Sequence, residues 1–127
     1  MTSTPARRFT IPAPSTAEPG PALIRRVFER DRYACVYCGV RGMTVQVDHV
    51  RARAHFPSTA SGATVNAQGN LVTACADCNG AKGPQDLRGF ATMLQGRGVS
   101  PKIVGPMLRR VRATLRRSPP FPFPSEP

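Results

Sequence analysis

Two C-x-x-C pairs, Cys35/Cys38 and Cys75/Cys78, use all four cysteines of this 127-residue chain and constrain its fold more than any other feature. Each pair places two sulfurs at the ends of one tight turn, as two corners of a tetrahedron around zinc require. Two disulfides are the rival reading. Met1 to Pro21 is polar and Pro-rich with no apolar run, so no export signal is expected there, and a reducing, cytoplasmic setting favours zinc. The Pro-rich ends leave a middle that can bury only a modest core, so one metal-stapled domain is predicted.

The pattern along the chain gives the organisation. Residues 1–20 hold Pro5, Pro12, Pro14 and Pro19 among small polar residues, a composition expected to remain a disordered tail. From Pro21 to Asp31, Leu23, Ile24, Val27 and Phe28 share one face and predict a short amphipathic helix. Thr44 to Val47 alternate as a strand ending in Asp48 and His49. Residues 54–69 are rich in Pro, Ser and Gly and predict a long, exposed connection. Asn70 to Cys75 is apolar again, and Ala76 to Lys82 predicts a short helix stopped by Gly83 and Pro84. A helix from Gln85 to Gln95, closed by Gly96 and Gly98, precedes another that starts near Ser100 and Pro101. Pro106 is expected to kink that last helix or shift its start. The predicted divisions are therefore a tail over 1–20, a domain over 21–95, a basic helix over 96–117 and a Pro-rich tail over 118–127.

The formal charge of +11 is nearly all arginine, whose planar fork suits phosphate oxygens. A polyanion is the natural partner, with a solvated basic surface as the plainer alternative. The last helix carries Arg109, Arg112 and Arg116 on its polar side, and no acidic residue occurs from Gly96 to Arg117. That face is a candidate for tracking phosphates. No stretch approaches the roughly 20 apolar residues of a membrane span.

Between and around the cysteine pairs stand Asp48-His49, Asn70, Asn79 and Lys82. In this arrangement the chain resembles the HNH endonuclease family, in its zinc-bound branch. The likeness rests on R-D-R-Y-A-C-V-Y-C-G from Arg30 to Gly39, V-D-H-V from Val47 to Val50, and N-L-V-T-A-C-A-D-C-N-G-A-K-G from Asn70 to Gly83. The resemblance implies an α+β class with a small ββα-metal domain, stapled by a four-cysteine zinc site and flanked by helices. It further implies His49 as the general base, Asp48 and Asn79 as ligands of one divalent ion, and Asn70 as the residue orienting His49. Relatives often carry His where Asn79 stands. Magnesium or manganese is the expected catalytic ion, because oxygen donors favour hard cations while thiolates keep zinc apart. The expected substrate is double-stranded DNA, cut to leave 5′-phosphate and 3′-hydroxyl ends, by a monomer or a homodimer.

The chemistry suits those residue types. An imidazole can take a proton from water near neutral pH. A carboxylate and an amide oxygen leave a cation with open positions for phosphate oxygens. Arg51, Arg53 and Lys82 are further candidates for backbone contacts, with solvated charge as the alternative. Asn70 also suits a capping role. His55, in the long connection, is a lesser candidate for a third ligand. Two other functions remain open at this point: a non-catalytic zinc module that binds nucleic acid, and a zinc-dependent protein-interaction domain.

Overall fold

The helix expected at Pro21 forms as α1, Pro21–Arg30, with its proline in the first turn, where a missing N–H costs nothing. The computed structural model describes residues 18–117, so of the tails expected over 1–20 and 118–127 only Glu18, Pro19 and Gly20 fall within it, and Glu18 pairs there with Arg53. Strand β1, Val45–His49, pairs antiparallel with β2, Leu71–Cys75, in a register from Val45↔Cys75 to His49↔Leu71. Side chains alternate along β1, so Gln46 and Asp48 share one face while Val45, Val47 and His49 share the other.

Every residue of β2 is buried. α1 packs on this strand, and the strand's free edge is covered: Thr73 N donates to Asp31 Oδ2 at 2.8 Å and Thr73 O accepts from Val36 N at 2.9 Å. A covered edge cannot pair with another chain. Asp31 is held in turn by both prongs of Arg30, at 2.7 and 2.9 Å, and Arg30 also donates to the carbonyls of Gln68 and Leu71. This pair therefore fastens the end of α1 to β2 and to the turn before it.

α3, Ala76–Lys82, follows β2 without a linker and stops at Gly83, whose φ of +52° a Cβ would oppose. α4, Leu87–Gly96, starts two residues later than predicted, because the Asp86 carboxylate caps it by accepting from Gly89 N at 2.7 Å. Gly98, at φ +90°, turns the chain toward α5, Pro101–Arg116. Pro106 lies inside α5 and does not move its start, which stays at the Ser100 cap. The carbonyl that loses its helical partner there belongs to Lys102, an exposed residue where water can replace it. Val104, Met107 and Val111 of α5 enter the same core cluster as Phe90, Tyr37 and Val72, so the basic helix is packed into the domain.

The stretch over 54–69 departs from the long exposed connection expected of it. It contains a 3₁₀ turn at Arg53–His55, the short helix α2 at Gly62–Val65, and a second 3₁₀ turn at Gln68–Asn70. Val65 is fully buried, and Asn66 and Gln68 are buried as well. Local bonds explain the order: Ser61 Oγ caps α2 by accepting from Thr64 N at 3.1 Å, and the Arg51 guanidinium sits 4.3 Å over the Phe56 ring.

Candidate functional site

The four cysteine sulfurs all lie within 4.8 Å of one another, with Cys38 Sγ and Cys75 Sγ 3.9 Å apart. A tetrahedral ion with Zn–S bonds of about 2.3 Å needs sulfurs about 3.8 Å apart. All four cysteines are free, and the 3.9 Å separation is nearly twice a disulfide bond of about 2.05 Å. Cys38 N donates to Cys35 Sγ and Cys78 N donates to Cys75 Sγ, each across its own C-x-x-C turn. Burial pushes the thiols of Cys38 and Cys78 up. At Cys35 burial pushes the same way, but hydrogen bonds from the backbone of Cys75, Cys38 and Tyr37 outweigh it, and the thiol sits below its ordinary value. Donor type and spacing fit a zinc ion whose four positions the protein fills. Among the described residues no other group of three or more His, Cys, Asp or Glu side chains converges in this way.

Strand β1 and helix α3 bring the remaining polar residues together in two successive rungs. At the first, Asn79 Nδ2 donates to Gln46 Oε1 at 2.5 Å. At the second, Lys82 Nζ lies 3.2 Å from Asp48 Oδ2 and donates to the His49 carbonyl at 2.8 Å. The spacing explains the pairing, since residues two apart share a strand face and residues three apart share a helix face. Tyr37 Oη donates to the same Asp48 oxygen at 2.5 Å. Burial, then the negative charge of Asp48, push the Tyr37 phenol up, so it keeps the proton that it donates. Both recorded bonds of Asp48 go to Oδ2. Among the described residues Asp48 Oδ1 and Asn79 Oδ1 therefore have no protein donor, and two such oxygens suit a hard divalent cation.

Lys82 was expected to reach the substrate backbone, and that expectation is corrected. Its side chain is fully buried and its ammonium is taken by Asp48 and the His49 carbonyl. Asn70 was expected against the His49 ring, and this too is corrected. Its amide instead accepts from Arg51 N at 2.8 Å and donates to the carbonyls of Arg51 and Val65 at 3.1 and 3.0 Å, pinning the loop. The residue on the imidazole is Asn66, with His49 Nε2 and Asn66 Oδ1 2.7 Å apart. A carbonyl oxygen only accepts, so Nε2 carries the hydrogen in this bond and Nδ1 is the nitrogen left for another partner. No sequence signal marked Asn66, because it lies in the aperiodic stretch after α2, and nothing in Tyr37 marked it as the donor to Asp48.

His49 and Asn79 line one open groove of about 440 Å³, together with Gln46, Val47, Ile24 and Phe28. Asp48 is only 6% exposed and does not line this groove. His55 is exposed beside Asp86 and Gln85, in hollows that exclude His49. Arg51 donates to the His55 carbonyl at 2.8 Å, and Arg53 pairs with Glu18 at 3.2 Å. Arg109, Arg112 and Arg116 are exposed on α5, whereas Arg110 turns back to donate to the carbonyls of Val36 and Tyr37.

Comparison with known proteins gives two matches of different reach. Residues 35–85 match the family model described as HNH endonuclease. Among solved structures, the chain is similar to the Type II-C Cas9 enzyme from Actinomyces naeslundii, at 24% identity and a TM-score of 0.40. That likeness covers 76% of this chain and 11% of the Cas9 chain. No curated protein matches.

Proposed function

Because residues 35–85 match the family model described as HNH endonuclease, we propose that this chain is a metal-dependent endonuclease that hydrolyses DNA phosphodiester bonds. The observation that carries the reading is the groove holding His49 and Asn79, walled by β1 and α3. Phosphodiester hydrolysis needs an activated water, relief of charge on phosphorus and help for the leaving 3′ oxygen. His49 takes the proton from water at Nδ1, while Asn66 holds the opposite nitrogen and so fixes the ring's tautomer and direction. Lys82 and Tyr37 hold the Asp48 carboxylate, and Lys82 also fixes the backbone of His49. Asp48 and Asn79 would hold the divalent cation, magnesium or manganese. When bound, that cation supplies Lewis-acid stabilisation of the phosphate and of the leaving oxygen.

The four cysteines hold zinc as a structural ion on this reading, since their sulfurs leave no position for water or substrate. Arg51, Arg53 and the exposed Arg109, Arg112 and Arg116 contact the substrate backbone. The domain occupies 21–95, with 96–117 as its basic helical buttress.

Incubation of supercoiled plasmid with the full chain tests the proposal. Nicked or linear product is expected with magnesium or manganese and none after EDTA, while about one zinc per chain survives chelation mild enough to remove the catalytic ion. Binding without cleavage under every divalent metal would make the chain a zinc-stapled nucleic-acid module instead.

A further inference from the structure

A second basic feature lies at the junction of the end of α1, the first cysteine turn and the end of α5. These segments wall a cleft of about 850 Å³ that shares no lining residue with the His49 groove. Arg32, Arg41, Arg110 and Arg117 line it. Of its two acidic residues, Asp31 is already gripped by Arg30, which leaves Glu29 against four guanidinium groups.

Their arrangement is held in place. Arg110 donates through Nε to the Val36 carbonyl at 2.7 Å and through one terminal nitrogen to the Tyr37 carbonyl at 2.6 Å. The cysteine turn thus fixes the fork, and its other N–H groups are left for an acceptor. Arg117 is steadied by a bond to Thr114 Oγ1 at 3.2 Å. Arg32 follows α1 at φ +57°, with Tyr33 at φ +58°, a left-handed backbone that side chains with a Cβ rarely adopt. Backbone bonds of Arg32 N to Glu29 O and Tyr33 N to Phe28 O hold that turn.

We infer that this cleft is a second contact for nucleic acid, taking backbone phosphates through Arg32, Arg41, Arg110 and Arg117 at a distance from the cut. Planar guanidinium forks match phosphate oxygens, and four guanidinium groups against one free carboxylate suit a polyanion. The identity of that polyanion rests on the nucleic-acid reading of the HNH domain, but the inference does not depend on hydrolysis.

The test measures binding of a labelled DNA duplex to the zinc-loaded full chain across a salt series without added divalent metal, alongside cleavage with magnesium. Arg32→Glu/Arg41→Glu is compared with the charge-matched Arg25→Glu/Arg97→Glu, exposed residues outside the cleft. The cleft pair is expected to bind about tenfold more weakly, and its salt slope to flatten by about 0.9 for each phosphate that it no longer neutralises. The control pair keeps the wild-type slope. Equal weakening in both pairs, or wild-type binding by the cleft pair, overturns the inference while plasmid cutting by wild type still upholds the nuclease. Weakening confined to the cleft pair in a protein that never cuts upholds the cleft and removes hydrolysis. A wild type that fails to bind at low salt overturns the cleft's role.

Discussion

At His49 the decisive interaction is a single hydrogen bond. Asn66 Oδ1 faces Nε2 at 2.7 Å, so removing the amide frees the ring to rotate and to exchange tautomers. Asn66→Ala is expected to lower kcat by about 10- to 100-fold with KM little changed, as loss of an orienting partner does. Asn66→Asp gives a sharper readout, because a carboxylate beside the ring favours its protonated form. The acid limb of the pH–rate profile should then move to higher pH, and an unmoved profile would place Asn66 in a merely structural role. The convergence of both cysteine pairs, and the placing of His49 and Asn79 on one groove, were legible because each sits at a fixed offset within a short motif. Asn66 and Tyr37 were not, since their roles depend on where the chain returns after α2 and on which oxygen Asp48 turns inward.

Among the elements, α3 does the most to assemble the groove, and Lys82 is its anchor. The Lys82 side chain is fully buried and that of Asp48 nearly so. Truncation of one member of a buried pair strands the other, at a cost of about 3 to 5 kcal/mol. Lys82→Met should lower unfolding stability by that amount in denaturant melts, even in a chain already deprived of activity. A change under about 1 kcal/mol would return Lys82 to the surface role that its sequence position suggested. The bounds of α1 and α3 followed from caps and periodicity, and α3 runs over Ala76–Lys82 as its Gly-Pro stop implied. The order within 53–70 escaped the sequence because it rests on side-chain bonds of Asn70 and Ser61 that no hydrophobic period announces.

Over the whole molecule, a modest core, a four-sulfur cluster and a basic exterior divide the work. β2, α4 and α5 share one apolar cluster with Cys35 and Cys75, so the staple and the core form one body. The charge of +11 was plain in the composition, whereas its partition was not, because Arg30 is engaged inside the fold and Arg110 is braced on the first cysteine turn, while Arg32, Arg41 and the outer face of α5 remain free at the surface. The claim on which the rest depends is that one imidazole in this groove activates the water. Single-turnover cleavage of a DNA duplex by wild type and by His49→Ala, each first matched for duplex binding and zinc content, tests it most directly. The variant is predicted to bind as wild type does and to cut about 10²- to 10⁴-fold more slowly; a His49→Ala protein that cuts at the wild-type rate would contradict the account.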